Sequence, residues 1–270
     1  MFDQFNTGLG VTALQRSAGT VKVALTRDGL SDLYQSGSAK AILMHGRLGP
    51  EVTFLNTSGG LTSGDRYDCA MSLGPGVRAL ASTQTAERAY RAKDGCATLT
   101  VAHTVGAGAW LDWLPQETIL YNDASIRRDC TIDLAAGAGC LTLDTLVFGR
   151  AAMGETVSRL ALFDRRTIRR DGRLITVEHL AFGDDALSSR GAAMFAGARA
   201  ISTLILIGPS DRLPAIRAAL DEPGVRSGAS VVGERLVVRM AAPDHWPLRR
   251  QIIRLLGVLR PGPLPRVWQM

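Results

Sequence analysis

The sequence predicts a mainly β protein of repeated strand–Gly-x-Gly–strand units with two α-helices towards the C-terminus. Three observations predict it. First, three segments between Tyr67 and Phe148 share one pattern, in which an alternating run enters a Gly-x-Gly turn and a second apolar run leaves it. They read YDCAMSL-GPG-VRALAST, TLTVAHTV-GAG-AWLDWLP and CTIDLAA-GAG-CLTLDTLVF. The second turn glycines, Gly76, Gly108 and Gly139, are evenly spaced, as in stacked or meandering supersecondary units. Second, the runs alternate at period two. Tyr67, Cys69, Met71 and Leu73 share one face and Asp68, Ala70 and Ser72 the other, the mark of a strand with one buried face. Third, two late segments carry helix start and stop signals. An antiparallel meander, with glycine at positive φ in three-residue hairpin loops, satisfies the same observations.

In chain order, Val21, Val23 and Leu25 open a hairpin that turns at Arg27-Asp28-Gly29. QSGSAKAIL continues extended, and EVTFLNTSGGLTSGDRY is a short strand ending in a turn rich in glycine (Gly59, Gly60, Gly64). That turn is no phosphate loop, because neither Lys-Ser/Thr nor a helix pattern follows it. TQTAERAYR, residues 83–91, reads as a short helix or an irregular strand, and Pro115 in WLPQETILYND marks an edge or a kink. Residues 161–182 form a hairpin around Asp171-Gly172. AMFAGARAISTLILIG leads into a buried strand, and ASVVGERLVVRMAA is a strand pair or one long strand. One helix is expected near 212–221, with Asp211 as cap and Pro223-Gly224 as stop. The other is expected near 244–257, with Asp244 as cap and Pro247 in its first turn. Its apolar stripe is Leu248, Ile252, Leu255, Leu256 and Leu259. The tail PLPRVWQM is too apolar for a solvated terminus.

The length of 270 residues allows one large domain or two ordinary ones, and the 46% hydrophobic content supports a sizeable core. No run of 18 apolar residues is present, so no spanning helix is expected. MFDQFNTGLG lacks a basic region followed by an apolar one, so a cytoplasmic location is expected. The four cysteines, Cys69, Cys96, Cys130 and Cys140, stand singly and read as small apolar thiols. The four histidines, His45, His103, His179 and His245, have no neighbour at chelating spacing, which excludes a closed zinc site. The net charge is +6, and only Lys22, Lys40 and Lys93 among the 31 basic residues are lysines. The densest arginines, Arg165, Arg166, Arg169, Arg170 and Arg173, read as a solvated hairpin. With no aromatics interleaved they make no nucleic-acid platform.

The acids are more informative. Asp144 lies in CLTLDTLVF, a run apolar on both faces, and Asp112 between Trp110 and Trp113 has a similar setting. A carboxylate there must find a partner or shift its pKa. Asp65, Glu87, Glu117 and Glu178 lie beside turns or at strand ends. Each reads either as a carboxylate paired with an arginine or as part of a polar passage inside a β scaffold. No GxSxG elbow, HExxH, Walker A or dinucleotide fingerprint occurs, so no nucleophile–base frame is present. A carbohydrate hydrolase with paired carboxylates on a β-helix remains as the enzymatic alternative, because sequence does not give carboxylate separation.

Eight blocks in order carry a resemblance across nearly the whole chain. They are LQRSAGTVKVAL, LYQSGSAKAIL, LNTSGGLTSGDRY, GPGVRALASTQTAERAYR, WLPQETILYNDASIRRDCTIDLAAGA, LVFGR, RRDGRLITVEHLAF and LPRVW. Together they resemble the urease accessory proteins of the UreD/UreH family. The family often has a glycine pair before the first acid, where this chain has Ser63-Gly64, a departure that bears on local backbone geometry. The resemblance implies that residues 1–270 form a single domain of stacked, β-helix-like sheets. It implies a urease maturation chaperone without turnover chemistry, which binds urease apoprotein with UreF and UreG and assists nickel insertion. No cofactor is held stably; nickel is in transit through a polar passage, and neither nucleic acid nor membrane is a partner. A passing ion needs weak oxygen ligands rather than a trapping His/Cys cage. The matching acids are Asp65, Asp144 and Glu178, with Glu117 a further candidate. Arg249, Arg250, Arg254 and Trp268 are expected at a partner surface, since arginine and tryptophan are typical interface anchors.

Overall fold

A computed structural model of the chain describes residues 16–183, 197–209 and 211–269. The opening MFDQFNTGLG and the start of the AMFAGARAISTLILIG segment lie outside these residues. β1 (Ala18–Thr26) and β2 (Gly29–Gly37) form the opening hairpin, and β3 (Ala39–Gly46) and β4 (Gly49–Asn56) a second one. Three coils follow. They are β5 (Arg66–Leu73), β6 (Arg78–Thr83) and β7 (Glu87–Ala89); then β8 (Ala97–Val105), β9 (Trp110–Trp113) and β10 (Thr118–Leu120); then β11 (Ala124–Leu134) and β12 (Gly139–Phe148). The residues 83–91 thus hold a short strand, and Pro115 falls in the break between β9 and β10.

The Gly-x-Gly turns do not close hairpins. Each carries the chain from one sheet to the facing one, and each strand pairs in parallel with its counterpart in the next coil. Period-two patterning is common to both arrangements, so the local sequence could not separate them. Leu73 pairs with Val105 and Val105 with Leu134. The equivalent turn glycines are therefore Gly76, Gly108 and Gly137, at φ 71°, 63° and 68°. Gly76 N–H donates to Ala107 O at 2.9 Å and Gly108 N–H to Ala136 O at 3.0 Å, so the turns stack as the strands do. Gly139, expected as the third of the set, instead stands in line with Trp110 and Arg78. It is glycine for another reason: a Cβ there would lie 2.6 Å from the Trp110 ring and 2.7 Å from Ile207 O.

After the coils come the hairpin β13 (Leu160–Arg170) and β14 (Arg173–Phe182), then β15 (Ala200–Ile207), α1 (Leu213–Ala218), the strand pair β16 (Arg226–Val232) and β17 (Arg235–Ala242), and α2 (His245–Leu259). The first sheet runs β14-β13-β11-β8-β5-β1-β2 and the second β16-β17-β15-β12-β9-β6-β4-β3. The main core lies between them, with Val21, Met71, Val105, Leu111, Ile126 and Phe148 among its side chains. A second core lies between the outer face of the second sheet and the helices, joining Leu141, Leu143 and Leu204 to Leu248, Ile252 and Leu255. β12 is consequently buried along its whole length, which explains a run apolar on both faces.

α2 begins as its sequence predicts: Asp244 Oδ1 accepts from Trp246 N–H at 2.8 Å. α1 does not. Its N-cap residue is Arg212, with no side-chain cap bond, so Asp211 stands one position too early to cap it. In the Ser63-Gly64 turn, Gly64 takes the left-handed conformation at φ 74°, so position 63 needs no glycine. The Ser63 hydroxyl instead accepts from the Lys93 and Asp94 amides at 2.8 and 3.2 Å.

Two glycine substitutions test this architecture by urea denaturation. A Cβ at Gly108 meets nothing within 4 Å, so Gly108→Ala is expected to cost ~1 kcal/mol through its positive φ alone. Gly139→Ala has no positive φ to oppose it but must displace Trp110 and strand backbone, and is expected to cost ~3 kcal/mol. The reverse ranking would contradict the register.

Candidate functional site

Alternation on four strands carries charge into the space between the sheets. The inward phase of β11 runs through buried Ala124, Ile126, Arg128, Ile132 and Leu134, and that of β13 through Leu160, Leu162, Asp164, Arg166 and Ile168. β12 contributes Asp144 on the same phase as its core residues Cys140, Leu146 and Phe148. Across the gap Arg128 Nη2 donates to Asp144 Oδ1. Arg128 Nε is 3.6 Å from Asp164 Oδ1, and Arg166 Nε is 3.8 Å from Asp164 Oδ2, within ion-pair range but too long for hydrogen bonds. Arg166 lies opposite Glu178 in the register of β13 and β14, and Glu178 accepts from Arg239 Nη2 at 2.8 Å. Arg239 lies opposite Thr203, and Thr203 opposite Asp144. A charged seam therefore joins the sheets.

Beside the seam lies a cavity of about 80 Å³, room for about two or three water molecules. Tyr67, Cys69, Glu87, Cys130, Asp144 and Asp164 contribute to its wall, together with Arg128 and Arg166. Burial works to raise the Asp144 pKa, but the guanidiniums of Arg128 and Arg166 outweigh it and hold the carboxyl below its usual range. Asp164 goes the other way, raised chiefly by burial. Burial likewise raises Glu87 and pushes the Cys130 thiol up to about 12. Cys130 is thus a neutral thiol, neither nucleophile nor ready metal ligand. Arg128 Nε and Nη1, Arg166 Nε and Nη1 and Asp164 Oδ2 have no protein hydrogen-bond partner.

Of the acids singled out from sequence, Asp144 lies at the centre of the seam and Glu178 at its edge. Asp65 and Glu117 are not brought to it; neither lines the cavity. Asp65 ties a turn, accepting from Ser17 N–H at 2.8 Å and Thr62 N–H at 2.9 Å. Glu117 lies 3.4 Å from His245 Nε2 and 3.6 Å from Arg249 Nη1, at the start of α2. Burial opposes its ionisation, and the His245 hydrogen bond more than compensates, holding its pKa low. Asp112 is paired with Arg260 at 2.9 Å and takes the Trp110 indole N–H at 2.7 Å.

Among the residues expected at a partner surface, Trp268 is buried, its indole N–H donating to Leu114 O at 3.0 Å, and Arg249 lies 4.7 Å over its ring. Arg250 and Arg254 are more exposed and pair with Glu222 at 2.7 and 3.0 Å. Arg166 is a correction: expected on a solvated hairpin, it is 6% exposed and faces inward. The sequence reading missed Arg128 and Asp164 altogether, although the phase of apolar neighbours on their strands marks both as interior.

His103 is the other buried polar group of note. Its ring lies between Phe54 and Trp113, at centroid distances of 6.4 and 4.6 Å, and neither nitrogen has a protein partner. Burial lowers its pKa to about 3. Among the described residues, no group of three His, Cys, Asp or Glu side chains is close enough to hold a metal ion, and no helix is long and apolar enough to cross a membrane.

These features define a stacked β-solenoid with a helical layer on one face and a charged interior. A family model described as UreD urease accessory protein matches residues 17–269. The chain is 56% identical over 261 residues to the urease accessory protein UreD of Paracoccus denitrificans (strain Pd 1222), covering 95% of this chain and 94% of that one. It is 56% identical over 265 residues to the UreD of Cereibacter sphaeroides (strain ATCC 17025 / ATH 2.4.3), covering 95% and 96%. It is 41% identical over 269 residues to that of Rhizobium etli (strain ATCC 51251 / DSM 11541 / JCM 21823 / NBRC 15573 / CFN 42), covering 96% and 97%. The chain belongs to the UreD urease accessory protein family. Membership of that family implies a role in urease maturation.

Two stability measurements probe the interior. His103 stays neutral in the folded chain to about pH 3, whereas an unfolded histidine protonates near pH 6.5. The unfolded state therefore binds more protons below pH 6.5, and stability falls as pH drops through that window. Between pH 7 and 5 the wild type should lose ~2 kcal/mol more than His103→Phe in urea titrations; parallel losses would contradict a buried neutral ring. Trp268→Ala should cost ~3–5 kcal/mol, as for a core tryptophan, and a loss below ~1 kcal/mol would leave the tail dispensable to the fold.

Proposed function

We propose that this chain is a chaperone without turnover chemistry that binds urease apoprotein with UreF and UreG and assists nickel insertion into the urease active site. It would work in the cytoplasm. Membership of the UreD family supports the maturation role. The observation that carries the finer reading is the polar interior, where Asp144, Asp164 and Glu87 line a small cavity between two sheets whose facing sides are mainly apolar.

Oxygen donors of this kind suit a hard or borderline cation that must be released again. An ion moving inside the protein is withheld from solvent and from competing ligands, which is what delivery to a buried site requires. Asp144 lines the cavity and takes the passage role. Glu178 lies at the edge of the seam, outside the lining, as do Asp65 and Glu117, so these three belong to the passage only if it extends beyond the cavity. Arg250 and Arg254, half-exposed on α2, stand open to a partner with the exposed Trp246 of the same helix, while Arg249 and Trp268 fix the helix and tail that present them.

Asp144→Asn keeps the shape and one acceptor oxygen but removes the charge that draws a divalent cation. Co-expressed with urease and the other accessory proteins, the variant should still give soluble complex with UreF, and the urease should hold less nickel per active site. Normal nickel loading would remove Asp144 from the passage. Loss of soluble variant would instead mark the pair with Arg128 as structural, since breaking a buried ion pair costs ~3–5 kcal/mol.

A further inference from the structure

We propose that an open groove, at the corner where β8, β11 and β13 begin, docks an acidic extended segment of a partner protein on Arg91 and Lys93. The site goes beyond the passage reading and shares no residue with it. The groove has a volume of about 370 Å³, within the ~300–1,000 Å³ of ligand clefts. It crosses three stacked corners: Ala92 N–H donates to Asp123 O at 2.9 Å, and Asp123 N–H to Arg159 O at 2.8 Å. Strands one coil apart are ~4.8 Å apart, so the groove runs about 10 Å, the length of about three extended residues. Its floor is made of small residues, Gly95, Ala124, Ser125 and Ala161, which lets a second backbone approach closely.

The charge on the rim is unbalanced. Among the described residues lining the groove, Asp123 is the one carboxylate. Its Oδ1 is taken by Arg159 Nε at 2.6 Å and its Oδ2 by Asn122 Nδ2 at 3.2 Å. Arg91 Nε stands 3.7 Å from Oδ2, too far for a hydrogen bond, and its side chain is 73% exposed. Lys93 is exposed and joins no ion pair among the described residues. The turn that carries both cations is fixed. The Ser63 hydroxyl accepts from the Lys93 and Asp94 amides, and the Thr62 hydroxyl donates to Arg91 O at 2.8 Å. Groups held on ordered backbone lose less freedom on binding. The chemistry also selects among anions. The amides of Ala92, Lys93, Asp94 and Asp123 already have acceptors, so no nest of free N–H groups is present for a phosphate. No aromatic side chain lines the groove among the described residues, so nucleic-acid bases have nothing to stack on. Two side-chain cations above a floor of small residues suit carboxylates spaced along an extended peptide.

The test uses the purified full-length chain and a fluorescein-labelled Glu-Ala-Glu-Ala-Glu peptide, read by anisotropy at low ionic strength. The wild type should bind the peptide. Arg91→Glu combined with Lys93→Glu should bind it at least tenfold more weakly at an unchanged melting temperature. If charge reversal disturbs the fold, Arg91→Ala with Lys93→Ala carries the same expectation. Arg27→Glu with Arg47→Glu makes the same change of net charge at exposed positions outside the groove lining, and should bind as the wild type. Asp123→Asn removes the groove's own carboxylate and keeps a residue tolerant of its φ of 64°; it should bind more tightly. The proposal is overturned if the wild type does not bind, if the Arg91 and Lys93 variants bind normally, or if the Arg27 and Arg47 variant weakens equally. It is overturned equally if Asp123→Asn gives no gain, if Gln-Ala-Gln-Ala-Gln binds as well, or if a single-stranded oligonucleotide binds the groove more tightly than the peptide. These measurements involve neither urease nor nickel, so they fail separately from the passage reading.

Discussion

A strand with protein on both of its faces cannot carry a bare carboxylate, and β12 is such a strand. Its outward residues meet the helices, its inward ones meet the first sheet, and Asp144 lies in the middle of it. The charge has to be matched from across the gap, and Arg128 does so from the facing strand of the same coil. Much of the interior follows. Arg128 needs a second acceptor and shares Asp164; Asp164 is shared in turn with Arg166. Polar side chains packed this way cannot fill space as leucines do, and a cavity remains where the core would otherwise be solid. A buried network of this kind is weak evidence of stability.

The two faces of the solenoid are treated differently. The second sheet is covered by α1, α2 and the C-terminal tail, whose anchors are buried: Trp268 under Arg249, Arg260 on Asp112, and the Arg266 amide on Glu51. On the outer face of the first sheet arginines are matched with acids in the open, such as Arg165 with Asp129 at 3.2 Å and Arg169 with Asp133 at 3.5 Å. Exposed pairs of this sort contribute little to stability. They give this face of the sheet a mixed-charge surface.

How much of this was legible in the sequence depended on whether the signal was local. Strand patterning, the stripe on α2, its Asp244 cap and the burial of Asp144 were all readable, because each rests on neighbours within a few residues. Parallel stacking was not: an alternating strand looks the same whether its partner is its chain neighbour or the strand one coil away, and only the family resemblance supplied it. The offset of Gly139 arose because AAGAG offers two frames for one turn, and only pairing with Val105 selects Gly137. Arg128 was hidden by company. Between Arg127 and Asp129 it resembles a surface cluster, although the apolar phase from Ala124 to Leu134 places it inside. Arg166 was obscured in the same way within its run of arginines.

The pair between Arg128 and Asp144 also bears on how the chain can come together. Its two residues are 16 apart in sequence, whereas the bond from Gln116 to Val267 spans 151. Loop-closure entropy grows with that span. The third coil can therefore clasp itself by a short loop before any neighbour is stacked on it, while the strap that ties tail to sheet must wait for nearly the whole chain. Sequence separation on this scale governs folding rate more than final stability. The solenoid thus combines a charged clasp that can close over a short loop with a helical cover whose ties span much of the chain.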